Sequence, residues 1–156
     1  MVSLIQAHGK EHLVRVRELF KEYAASLGID LCFQDFEHEL ASLPGHYAPP
    51  RGRLLMAIER TVAAGCVALQ PIDDEICEMK RLYVRPKFRG RGVGKALVSA
   101  ILSEARELGY KKMRLDTLPQ MEEAIAVYRS FGFFPIPEYR FNPIPGALFM
   151  ELNLQA

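Results

Sequence analysis

Three glycines within five positions, Gly90, Gly92 and Gly94, are interleaved with Arg91 and Val93 and flanked by Arg89 and Lys95. Residues of these types at this spacing suit a phosphorylated ligand. Glycine lets a backbone approach a ligand closely and turn through left-handed conformations. Consecutive N–H groups at a helix start attract an anion through the helix dipole. Arg89, Arg91 and Lys95 add side-chain charge at the same place. A strand-like apolar run, Glu78 to Val84, leads into the glycines. A helix starting near Gly94 leads out, with Val93, Leu97, Ala100, Ile101, Ala105 and Leu108 on one stripe and Gly109 as its cap. The strand Lys112 to Thr117 then closes a β-α-β unit with the glycine run at its first turn.

Two familiar phosphate motifs are excluded by counting. A P-loop would require glycine at Arg89 and a hydroxyl residue at Ala96. The dinucleotide fingerprint G-x-G-x-x-G ends on Lys95 or Leu97 instead of glycine, depending on the starting glycine. What remains is R-x-x-G-x-G, entered from an antiparallel meander. That meander is read from Arg53 to Glu59 and Thr61 to Leu69, which pair as a hairpin, with Ile76 to Val84 as the next strand. Upstream, Leu13, Val16, Leu19, Phe20, Tyr23, Ala24 and Leu27 recur at helical spacing from about Glu11, and Gly28 is a natural stop. A shorter helix is predicted over 34–43, followed by a mobile Pro- and Gly-rich loop over 44–52. A last helix, 121–131, stops at Gly132, and after a Pro-rich loop, 135–145, a closing strand runs over 147–154.

The chain has 156 residues, 49% of them hydrophobic and 25% charged. That size and balance predict a single domain, residues 1–156, with a real core. Twenty basic and 19 acidic residues give a formal charge of +1, which argues against nucleic-acid binding by bulk electrostatics. Cys32, Cys66 and Cys77 lack paired spacing and read as reduced core thiols. No run reaches the ~18 apolar residues of a membrane span, and no basic head precedes an apolar leader. The expectation is a cytoplasmic protein without a membrane partner.

Arg89, Gly92 and Gly94 match [Q/R]-x-x-G-x-[G/A], and here the chain resembles the GNAT superfamily of acetyl-CoA-dependent N-acetyltransferases. The family's second pattern, N-x-x-A-x-x-L-Y followed by G-F, is echoed by Ala124, Val127, Tyr128 and Gly132-Phe133, with Met121 standing where the pattern has Asn. The resemblance covers nearly the whole chain. It implies an α/β (α+β) fold: a mixed, mostly antiparallel twisted sheet flanked by helices. It implies acetyl-CoA as co-substrate, with its pyrophosphate on the N–H groups of Gly90, Arg91, Gly92, Val93, Gly94 and Lys95 beside Arg89, and with Ala124 also at the cofactor. The pantetheine arm would lie against backbone groups of Leu82, Tyr83 and Val84, one of which can polarise the thioester carbonyl. The exposed tail and closing strands, together with the same resemblance, lead to the expectation of a homodimer.

Acyl transfer to an amine needs a neutral nucleophile, and an alkyl ammonium has a pKa near ~10.4, so a base or a water chain leading to one is expected. Glu78 is the candidate by its distance from Arg89 on the resembled strand, with Asp116 and water-linked carbonyls as alternatives. Tyr128 falls where a family tyrosine protonates the leaving thiolate. No metal is expected: His8 and His12 have i,i+4 spacing but no Glu beside the first and no third ligand. Alternation sends Lys80 and Arg81 to opposite faces, so only one points into the cleft. His46, Tyr47 and Arg51, with Tyr139, Arg140 and Asn142, fall where the family builds its acceptor site. Two arginines there suit a carboxylate-bearing, amino-acid-like amine. The function expected is acetyl transfer to a small-molecule primary amine by direct attack in a ternary complex. Acetylation of protein lysines or N-termini, and non-catalytic acyl-CoA binding, are the alternatives. No cysteine lies in either motif, but Cys77 beside Glu78 keeps a covalent acetyl-enzyme open.

Overall fold

On the second strand Leu54 and Met56 alternate with Leu55 and Ala57, and all four are buried, so this strand must be covered on both faces. The computed structural model, which describes residues 2–28, 31 and 35–155, shows how. Its elements are β1 (Ser3–Gln6), α1 (Gly9–Leu27), α2 (Phe36–Ser42), β2 (Arg53–Glu59), β3 (Val62–Pro71), β4 (Ile76–Val84), α3 (Val93–Glu107), β5 (Lys112–Thr117), α4 (Glu122–Ser130), β6 (Phe134–Ile136) and β7 (Leu148–Asn153). The strands form one seven-stranded sheet in the order β1-β2-β3-β4-β5-β7-β6. Every neighbouring pair is antiparallel except β4 and β5, which the α3 crossover makes parallel.

Each sheet face has its own core. Leu55, Ala57, Val67 and Leu69 pack with Val93, Leu97, Ile101 and Leu102 of α3 and Tyr128 of α4. Leu54, Met56, Cys66 and Ala68 pack with Val16, Leu19 and Phe20 of α1 and Phe36 and Leu40 of α2. The mixed, largely antiparallel sheet flanked by helices agrees with the sequence reading, and β2, β5 and the stop of α1 at left-handed Gly28 fall where expected.

Three differences have physical reasons. β1 has only four residues, too few for a pattern to stand out, and is held by pairing with β2. β6 contains Pro135, which argues against a strand in sequence, but β6 pairs only with β7 and an edge strand tolerates a missing donor. The 44–52 loop, expected to be mobile, is packed: Gly45–Tyr47 makes a 3-10 turn, Tyr47 is buried, and a Cβ on Gly52 would stand 2.5 Å from the His46 carbonyl oxygen. The helix expected over 34–43 is α2, and Gln34 lies outside the described residues. Cys66 and Cys77 are free and buried in opposite cores, and Cys32 also lies outside the described residues. No helix among the described residues is long and apolar enough to cross a membrane.

Candidate active site

The sheet parts in its middle. β4 and β5 pair only through Ile76, Cys77 and Glu78 against Lys112, Met113 and Arg114. Beyond that point β5 stays paired with β7 up to Thr117, and β4 stays paired with β3 up to Val84. The facing edges of the two parallel strands are therefore left without ladder partners. A bulge accompanies the parting. Cys66 opposes Tyr83 but Ala68 opposes Lys80, so β4 carries one extra residue opposite Val67. Arg81 absorbs it at φ 60, and its carbonyl accepts the Cys66 thiol at 3.3 Å.

A groove of about 580 Å³ follows from this parting, lined by Leu82, Tyr83 and Val84 on β4, Arg89, Gly90, Gly92, Val93, Gly94 and Lys95 at the turn, and Ala124 and Val127 on α4. Gly90 and Gly92 sit at φ 79 and 80, where a side chain would be strained. The first α3 bond runs from Ala96 N–H to the Gly92 carbonyl, which leaves the amides of Val93, Gly94 and Lys95 without a carbonyl from the preceding turn. Arg89 Nε donates to the Val84 carbonyl at 2.9 Å. Arg91 does not line the groove with the others. Its guanidinium pairs with Glu59 at 3.2 Å and lies over Phe88.

At its inner end the groove shares Leu27, Leu82 and Met121 with a small cavity. Tyr23 and Leu27 reach this cavity from α1 and Tyr128 from α4, so the parting opens the sheet from one face to the other. Tyr128 is buried against Phe133, and burial raises its hydroxyl pKa, keeping it protonated. Lys80 Nζ lies 3.8 Å from Asp116, both with side chains 5% exposed, and Asn142 Nδ2 donates to the same carboxylate at 3.1 Å. Burial pulls the Lys80 ammonium pKa down, opposed by Glu78 and Asp116.

On the far side of Lys80 and Arg81 lies a second pocket of about 520 Å³, between the sheet and α2 with its following turn. Both Lys80 and Arg81 line the small cavity and this pocket. The expectation that alternation separates them fails because the bulge resets the pleat between them. Arg81 forks onto Glu39 of α2 at 2.7 and 2.9 Å and lies over the Phe36 ring. Glu78 is wholly buried and heavily hydrogen-bonded. Gln70 Nε2, the Tyr139 hydroxyl and Arg140 Nη2 donate to it at 2.8, 2.6 and 2.7 Å. Tyr47, His46, Arg140 and Asn142 reach the pocket or the cavity. Arg51 does not: it donates to the carbonyls of Asp74 and Leu108 and lies 4.1 Å over the Tyr110 ring, on the other core. The His8 N–H donates to His12 Nδ1 at 3.2 Å, and among the described residues no group of His, Cys, Asp and Glu is gathered to hold a metal.

Sequence reasoning missed the bulge, the ion pairs of Arg81 and Lys80, and the capture of Glu78. No glycine marks the bulge, and the partners of Glu78 lie up to 62 residues away.

Residues 13–133 match the model of the acetyltransferase (GNAT) family. An uncharacterised N-acetyltransferase of Schizosaccharomyces pombe is 44% identical over 138 residues, covering 87% of this chain and 85% of that protein. An acetyltransferase structure from Streptococcus agalactiae superposes with a TM-score of 0.81 at 22% identity, covering 97% of this chain and 98% of that one. The PaiA N-acetyltransferase of Thermoplasma acidophilum, solved in complex with coenzyme A, gives 0.74 at 18%, covering 98% and 99%. The overall fold is shared with these structures, and the chain belongs to the GNAT acetyltransferase family. It is an N-acetyltransferase by class.

Proposed function

We propose that this enzyme transfers the acetyl group of acetyl-CoA to the primary amine of a small molecule by direct attack, with both substrates bound at once. The observation that carries the reading is that three spaces adjoin: the glycine-lined groove and the Tyr128 cavity share Leu82 and Met121, and that cavity and the pocket beneath α2 share Lys80 and Arg81. Acetyl-CoA supplies an activated thioester. Residues 90–95 offer amides and the Lys95 ammonium for its pyrophosphate, and Arg89 stands beside them. The unpaired edge of β4 at Leu82, Tyr83 and Val84 offers main-chain donors and acceptors for the amide-bearing arm and a donor for the thioester carbonyl.

At the inner end Tyr128 keeps its proton and is the donor for the departing sulfur. The proton of the incoming ammonium leaves on the acceptor side, where Asp116 is the carboxylate lining the cavity. Cys77 lies in the α3 core with its Sγ–H directed to the Lys112 carbonyl, which favours direct attack over an acetyl-cysteine route. A pocket of about 520 Å³ fits a small acceptor. Calorimetric titration of acetyl-CoA, with CoA and ADP as comparisons, tests the reading. Micromolar binding of acetyl-CoA that ADP does not reproduce, followed by thiol release with amines, is expected. Absence of binding at high concentration would refute it.

A further inference from the structure

We infer that the acceptor carries a carboxylate that Arg140 binds, and that Glu78 is the positioning residue holding Arg140 in place instead of the base. The inference deepens the acceptor reading above and rests on it.

Donors outnumber acceptors in the pocket beneath α2. Its wall presents His38, His46, Gln70, Lys80, Arg81 and Arg140, against two carboxylates, Asp35 and Glu39. Both oxygens of Glu39 are already taken by Arg81. An amine substrate needs something beyond its nitrogen to be held in such a pocket, and a wall rich in N–H groups selects an anionic oxygen.

Arg140 is the donor best suited to it. Its side chain is 35% exposed at the pocket and gives Nη2 to Glu78. Its Nε is buried without an acceptor, and it is the one such side-chain nitrogen or oxygen among the described residues. A buried N–H left unpaired is uncommon and costly, so an orphaned one at a pocket wall marks the place of an absent partner. A guanidinium anchored at one nitrogen still has a planar set of donors for a carboxylate.

Glu78 explains why Arg140 stays there. The three donors converging on its carboxylate come from β3 and from two adjacent residues of the 137–147 segment. They take three of the carboxylate's about four acceptor positions and tie it to Arg140. Tyr139 is further fixed edge-on against Phe149 of β7. The same segment reaches the second buried carboxylate through Asn142. An acceptor whose carboxylate sits at Arg140 extends toward Lys80 and Arg81, the wall shared with the Tyr128 cavity.

The test is steady-state thiol release from acetyl-CoA with the common amino acids and their matched primary amides. An amino amide has the less basic amine, so more of it is unprotonated near neutral pH, and a preference for the acid runs against intrinsic reactivity. The wild-type enzyme is expected to favour at least one acid over its amide by roughly tenfold or more in kcat/KM. Arg140→Gln should raise KM for that acid and bring the ratio below about threefold, and Arg140→Lys should recover part of it. Glu78→Gln should collapse the same ratio while the pH profile of kcat keeps its wild-type shape. Equal use of acids and amides by the wild type overturns the inference and leaves the acetyltransferase reading standing. So does a Glu78→Gln enzyme, folded by its melting transition, whose kcat falls about a hundredfold on both acceptors with the profile's acidic limb displaced or lost. Release from neither series, with acetyl-CoA bound, overturns the acceptor reading and the inference together.

Discussion

Gly92 and Gly94 are both glycines of the same motif, yet their substitution by alanine should have opposite consequences. Gly92 is the N-cap of α3 at φ 80 and ψ 12, with nothing within 4 Å of an added Cβ. The cost of alanine there is therefore conformational, about 1–2 kcal/mol for placing an L-residue in the left-handed region. At 156 residues, that is a fall of about 2–8 °C in melting temperature. If the turn instead relaxes to negative φ, the amides of Val93, Gly94 and Lys95 re-aim and acetyl-CoA affinity falls. Gly94 needs no left-handed φ, and its added Cβ would meet Val84 Cγ2 at an ordinary 3.7 Å. Alanine there should be neutral, or should stabilise the first helical turn by up to about 1 kcal/mol. Thermal melts and calorimetry on the two variants decide the matter. Equal losses in both, or no loss in Gly92→Ala, would refute the reasoning from backbone conformation.

Tyr128→Phe should lower turnover roughly tenfold or more while acetyl-CoA affinity is retained, read by thiol release and calorimetry; unchanged turnover removes the hydroxyl from the mechanism. Gly65→Ala would put a Cβ 2.4 Å from the Tyr83 carbonyl oxygen. β4 must then retreat by about 1 Å, a displacement that can cost about 10²-fold in rate, with about 1–3 kcal/mol of overpacking; a wild-type melt and rate would show that the strand position is not critical. Burial pushes the Cys77 thiol up to about 12, so at pH 8 roughly one part in 10⁴ is thiolate. In a Cys32→Ser background, native enzyme should resist thiol reagents until unfolded, and Cys77→Ala should retain activity; loss of turnover in a folded Cys77→Ala enzyme would reopen the covalent route.

What the sequence made legible was local. The α3 stripe repeats at helical spacing and begins at a glycine turn, so both the element and its glycine-capped start follow from a few neighbouring residues. β5 is recovered at its observed ends because turn residues bound it on both sides. What escaped was set by contacts distant in sequence. Arg81 takes a left-handed φ without being a glycine, so no residue type announces the bulge that brings it alongside Lys80. Glu78 reads as an acid on a strand, and only the return of Tyr139 and Arg140 to the sheet shows that its oxygens are spoken for. Arg51 looks equivalent to Arg140 by loop and charge, yet it closes its loop onto Tyr110.

The parting of β4 from β5 leaves a bare strand edge in the interior of the sheet, and bare edges are templates for other chains. A co-substrate whose arm fills that gap acts as a missing structural member as well as a reagent. At a hundredfold excess over its dissociation constant it adds about 2.7 kcal/mol to the folded state. The enzyme's survival would then follow the concentration of whatever carries that arm, free coenzyme A as well as its acetyl thioester.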